Sequence, residues 1–268
     1  LKMAIIYRPL GKSYLDASEW PALMEKFEGH VPGPYDDKSK KHIATIGIGV
    51  NLRERGYLAL VLKELGVFDA NDTYEAARRQ ANGLPEETIA EKNTRYITII
   101  DDFMAVINSK PLSRTTQKPG KSTSEIVLQI ALNAKLKLPE YLGPSSTQTF
   151  SLTKPHAYNV KIAIVQGFTI GSIIDDKGKQ KRLDDLLKAN SISIDHDTAE
   201  YKILMSLFYN LEELVGPKLL QALKDGNRAE AWFEIRYNSN WDKINRRPAL
   251  GQREDPREPP RAHPAHLL

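Results

Sequence analysis

Residues 27–52 read FEGHVPGPYDDKSKKHIATIGIGVNL, and the order of residue types along them decides the fold. Glu28-Gly29 closes an apolar-periodic segment, and the glycine can take the left-handed conformation that ends a helix. Pro32 and Pro34 keep the helix from resuming. Asp36-Asp37-Lys38-Ser39-Lys40-Lys41 is polar and turn-forming. Residues 43–50, IATIGIGV, then have strand character with alternating glycines. The stretch predicts a helix end followed by a small hairpin or meander, with Glu28, Asp37 and Thr45 around its concave side.

Upstream, Ser18 is a plausible N-cap, with Glu19 and Pro21 in the first turn. Trp20, Leu23, Met24 and Phe27 recur at helical spacing and mark the inward face. Downstream, residues 53–65 predict an amphipathic helix with Leu58, Val61, Leu62 and Leu65 inward, ended by Gly66. Helices are also predicted over 73–81 and 85–108. Residues 109–124 (SKPLSRTTQKPGKSTS) read as an exposed loop, 125–138 as a helix, and 139–157 as loop again, with prolines at 139, 144 and 155. The apolar, β-branched run at 158–174 fits a buried helix or a strand equally. Short helices follow over 182–189, 198–214, 217–224 and 228–237. Residues 1–17 read as an extended leader, and 248–268 as a disordered tail rich in Pro, Arg and Glu. The fold class is α+β and mostly helical.

The 268 residues include 41% hydrophobic and 27% charged side chains, a globular composition with no apolar run near the ~20 residues of a membrane span. The N-terminal apolar run is too short for a signal-peptide core and has no small-residue cleavage site. A chain beginning with leucine reads as a piece of a longer protein. Without cysteine there is no disulfide, thiolate nucleophile or zinc–thiolate site. The histidines lack metal-ligand spacing, so neither metal nor cofactor is expected. The net charge is +4 and the isoelectric point near 9.0. Residues 246–261 carry five arginines against three acids, so half of that excess sits near the C-terminus. No basic stripe interleaved with aromatics points to nucleic acid. A mildly basic surface suits an anionic polymer.

Glycosidic hydrolysis needs a protonated carboxylic acid beside the leaving oxygen and a second carboxylate to handle water or the anomeric carbon. Glu28 fits the acid. A helix C-terminus disfavours negative charge, and apolar neighbours would add to the tendency to keep a proton. Asp37, across the turn, fits the second carboxylate, and the Thr45 hydroxyl could hold the attacking water. Gly47 and Gly49 would leave one strand face bare for a sugar. Each residue also has a plain structural reading: solvated helix end, turn former, strand residue, bulge. The inference rests on their combination.

The combination Glu28-Gly29, Tyr35-Asp36-Asp37 and Thr45-Ile46-Gly47-Ile48-Gly49 resembles the active-site signature of the phage-type lysozymes. In that family a helix ends in Glu-Gly, Tyr-x-Asp follows, and a strand reads Thr-Ile-Gly-x-Gly. The resemblance covers about 19–66 and 198–247. It implies a two-lobed lysozyme-like fold with a small β-hairpin lobe, a larger helical lobe, and a long helical insertion at about 67–197 within a catalytic domain of 18–247. It implies cleavage of the β-1,4 bond between N-acetylmuramic acid and N-acetylglucosamine, with inversion. Glu28 would be the general acid, and Asp37 and Thr45 would position water. Tyr35, Tyr209, Asn210 and Arg236 would contact the glycan strand, although Tyr209 reads equally well as core.

Three departures stand out. The Asp37-to-Thr45 spacing is two residues longer than usual, Val50 replaces a common histidine, and Pro248 follows Arg246-Arg247. A lysozyme-like chain with a large insert also resembles the wall-degrading domains of type VI secretion effectors. That resemblance implies delivery to the periplasm or cell wall, with an immunity protein and a secretion apparatus as partners. The rival readings are a lytic transglycosylase or chitinase-type glycosidase, a non-catalytic wall-binding module and, third, a basic nucleic-acid binder.

Overall fold

The computed structural model describes residues 19–36, 43–108, 150–238, 241–242 and 247–248. The leader, the loop at 109–124, the helix at 125–138, the tail beyond 248 and Asp37 lie outside the described residues. What is described is mostly helical with small antiparallel sheets, the expected α+β class. The chain divides into two compact units, Trp20–Asp176 and a second built on the elements from Lys177 onward.

In the first unit, helix α1 (Glu19–Glu28) buries Trp20 and Met24, as the periodicity predicts. It stops at Gly29, whose φ of +72° suits a residue without a Cβ and whose N–H donates to the Glu25 carbonyl at 2.8 Å. Strands β1 (Val31–Asp36), β2 (Ala44–Gly47) and β3 (Val50–Asn51) form an antiparallel meander in sequence order. Val31 pairs with Gly47 and Tyr35 with Thr45, so the register slips between them. Pro32 and Pro34 lie in that slip and have no N–H for the ladder. Every β2 residue is buried, and Ile48, Val50 and Leu52 continue the burial beyond it. Strand β2 is therefore covered on both faces. The predicted single strand at 43–50 is in fact β2, a turn at 48–49 and the start of β3.

Helix α2 (Arg55–Glu64) buries five consecutive residues, Leu58 to Leu62, so no side of its middle faces water. It packs against α3 (Val67–Ala81), α4 (Ile89–Asn108) and α5 (Lys154–Gln166). Helix α3 begins six residues before the sequence suggests, because Gly66 both ends α2 and opens α3. Helix α4 begins four residues later than expected. There Thr88 and Glu91 make a reciprocal capping box, with Thr88 N–H to Glu91 at 2.8 Å and Glu91 N–H to Thr88 Oγ1 at 3.2 Å. Residues 154–157, expected as loop, open α5. Thr153 caps it and Pro155 sits in its first turn, where a missing N–H is harmless. The ambiguous 158–174 run resolves into the rest of α5 and a hairpin of β4 (Phe168–Ile170) and β5 (Ile174–Asp176).

The second unit contains α6 (Gly178–Ala189), α7 (Ala199–Asn210), α8 (Pro217–Lys224) and α9 (Arg228–Phe233), then a π-helical turn (Glu234–Asn238). Leu183, Leu187, Tyr201, Leu204, Met205 and Phe208 are among its buried residues. The Tyr201 hydroxyl donates to Asp184 at 2.6 Å, and the His196 ring meets the same oxygen at 2.9 Å. Among the described residues no helix is long and apolar enough to cross a membrane.

The α3–α4 hairpin is bound by charge. Arg78 forks onto both Glu75 oxygens at 2.7 Å, and Arg79 reaches Glu75 and Glu91 at 2.9 and 3.1 Å. Arg95 engages Glu87 and Asp72, and the Tyr96 hydroxyl donates to Asp72. Arg78, with Arg79, holds Glu75 down to about 2 against the effect of burial. The Thr88 backbone N–H, its hydroxyl and Arg79 hold Glu91 down to about 2 as well. A carboxylate depressed in the folded state stabilises above its unfolded value near 4.5 and stops doing so as pH falls toward 2. Replacing Glu75 by Gln is therefore expected to lower the urea unfolding midpoint at pH 7. That difference should shrink between pH 4.5 and 2, as read by circular dichroism.

Candidate active site

Glu28 is the last residue of α1, so its side chain leaves the helix toward the meander that the next residues build. One carboxylate oxygen, Oε2, lies directly against Gly49 at the β2–β3 turn. A Cβ built on Gly49 would stand 1.7 Å from that oxygen. Gly49 also has φ +62°, a backbone that side-chain-bearing residues rarely adopt. The backbone of the turn thus requires glycine at this position, and an added Cβ would also displace the carboxylate from its place.

The same oxygen meets the Lys161 ammonium at 3.5 Å. Lys161 lies on the core face of α5 among Ala157, Val160 and Ile164, and it is 0% exposed. Burial brings its ammonium down to about 8, while the Glu28 charge pulls the other way. Among the described residues, the second Glu28 oxygen, Oε1, accepts no hydrogen bond. The Glu28 side chain is 24% exposed, so it is anchored by one oxygen and still reachable from solvent.

A second contact ties α1 to α5 one turn away. Tyr158 donates to Glu25 Oε2 at 2.5 Å, and the Lys154 ammonium sits 2.9 Å from Oε1 of the same residue. Residues 154, 158 and 161 share one face of α5 by helical spacing, as do 25 and 28 on α1. At the start of α5, the Leu152 N–H donates to the Pro32 carbonyl at 2.9 Å, and the His30 ring meets the Leu152 carbonyl at 3.2 Å. Helix α5 is thereby fastened at several points to the segment that carries Glu28.

Thr45 lies on β2, paired with Tyr35 on one side and Asn51 on the other. It is 5% exposed, and its hydroxyl donates to the Ile43 carbonyl at 3.1 Å. Tyr35 is half-buried on β1. Tyr209, Asn210 and Arg236 belong to the other compact unit. Tyr209 is half-buried, and the exposed Asn210 donates its side-chain N–H to the Ser206 carbonyl at 2.8 Å. The Arg236 guanidinium lies over the Trp232 ring at 5.2 Å. Phe208, beside Tyr209, is core.

One expectation is corrected. Gly47 and Gly49 do not leave a bare face for sugar, because protein atoms fill both places. Gly49 receives the Glu28 carboxylate. At Gly47 an added Cβ would meet Ala157 and Leu152 at 3.2 and 3.3 Å. The sequence reading missed Lys161 altogether, although a lysine inside the apolar run VKIAIV was the available signal. Among the described residues, no group of three or more His, Asp or Glu could hold a metal ion. Comparisons with protein-family models, curated proteins and solved structures gave no match.

Gly29 and Gly49 offer an internal comparison, since both have positive φ but an added Cβ at Gly29 meets nothing within 4 Å. Gly29→Ala is expected to cost about 1–2 kcal/mol from the backbone alone. Gly49→Ala should cost about 1–3 kcal/mol more, because displacing the carboxylate takes the countercharge from a buried ammonium. Denaturant unfolding of the two variants measures the difference, and equal costs would contradict the placement of Glu28.

Proposed function

We propose that this chain is a peptidoglycan hydrolase that cuts the β-1,4 bond between N-acetylmuramic acid and N-acetylglucosamine, within a lysozyme-like fold. The observation that carries the reading is the Glu28 carboxylate, held at a helix end against a glycine turn with one oxygen engaged and the side chain 24% exposed. A general acid needs this combination of fixed position and access.

In the reaction, Glu28 gives its proton to the leaving glycosidic oxygen as the bond to the anomeric carbon breaks. Water attacks that carbon, its proton passes to Asp37, and Thr45 orients it. Tyr35, half-buried on β1 beside Thr45, is the proposed glycan contact in this unit. Delivery to the periplasm or cell wall through a secretion apparatus, with an immunity protein as antagonist, belongs to the same proposal.

The buried Thr45 hydroxyl, already donating to a backbone carbonyl, favours a second reading in which no water is held. A lytic transglycosylase uses the glutamate alone and closes the product on itself. Release of dye from labelled sacculi separates the alternatives. Glu28→Gln is expected to slow release by about 100- to 10,000-fold. Asp37→Asn should slow release strongly in a hydrolase and leave it near wild type in a transglycosylase. Sedimentation with sacculi and no release by wild type would mean a binding module instead.

A further inference from the structure

A lysine whose ammonium is completely buried needs an explanation. Desolvating a cation is costly, and an ion pair in such a place is weak evidence of a stabilising purpose, since an apolar residue of similar volume commonly does as well. Lys161 lies among the buried apolar residues Ala157, Val160 and Ile164 of α5. It touches the one carboxylate oxygen that also rests on Gly49. Glu25 of α1 is taken by Tyr158 and Lys154, and Glu64 of α2 by Asn159 at 2.7 Å.

We propose that Lys161 is a positioning residue for Glu28, fixing Oε2 over Gly49 so that Oε1 faces the substrate and carrying the countercharge once Glu28 has given up its proton. This rests on the reading of Glu28 as the reacting acid. Proton delivery turns a neutral carboxyl into a carboxylate, and a cation already in place needs no reorganisation at that moment. The Tyr158 and Lys154 contacts to Glu25 hold α5 in the register that brings Lys161 to the acid.

The test is kinetic and uses Lys161→Met, which keeps most of the volume and removes the charge. On solubilised glycan strands the variant is expected to lose at least about tenfold in kcat with KM within about twofold, the pattern of an interaction made at the chemical step. Its alkaline activity limb should move upward, because the substitution removes a cation that favours the ionised form of the neighbouring acid. A role in packing alone would not move that limb. Unchanged kcat and an unmoved limb would overturn the proposal.

A second measurement leaves the lysine in place. The Lys161 side-chain resonances, followed by NMR from pH 6 to 10, should titrate near 8 in wild type and lower in Glu28→Gln. An identical titration in both proteins would overturn the pairing. The parent reading fails separately, through a wild type inactive on sacculi or a Glu28→Gln variant of full activity. Either result would remove the catalytic role even where the titration shows the pair.

Discussion

Oxygen Oε2 of Glu28 lies between a glycine that has no side chain to exclude it and a lysine that has no solvent to escape into. Much of the first compact unit is arranged so that this contact can exist. Helix α1 must end at Glu28, which Gly29 ensures by taking a left-handed backbone. The β2–β3 turn must present a bare Cα, which Gly49 supplies. Helix α5 must run beside α1, and the contacts of Tyr158, Lys154 and Leu152 hold it there. Covering both faces of β2 and burying the middle of α2 on all sides gives these elements a rigid backing. Changing any one of the three residues disturbs the other two, as expected for groups sharing one contact.

Punctuation made much of the fold legible in the sequence. Gly29 and Pro32 ended α1, Gly66 ended α2, and the predicted helix over 217–224 matches α8 residue for residue. Where one signal had two meanings, boundaries slipped. Gly66 also opened α3, and Pro85 invited an early start to α4 that Thr88 and Glu91, three residues apart, decided instead. Pro155 read as a loop residue, whereas its place after the Thr153 cap made it a first-turn proline.

The candidate site was legible in part for a related reason. Local pattern placed Glu28 at a helix end and Gly49 in a turn, because both are consequences of nearby residues. Nothing local says that Lys161, 133 positions away, returns to Glu28. The run VKIAIV has the β-branched composition of a strand and the length of a buried helix turn. Only as a helix does it carry its lysine on the face that packs inward. Tertiary packing settled that choice, and with it the charge beside the acid. The space beside Gly47 and Gly49 was misassigned to a sugar for the same reason, since its occupants come from α1, from α5 and from Leu152 just before it.

We propose that water, activated at this site, breaks a glycosidic bond in peptidoglycan. This step is tested most directly by digesting purified sacculi in water enriched in oxygen-18 and weighing the released fragments by mass spectrometry. Hydrolysis would leave new reducing ends on N-acetylmuramic acid that carry one heavy oxygen. Anhydro-muramic ends without label, reducing ends on N-acetylglucosamine, or no fragments at all would contradict it.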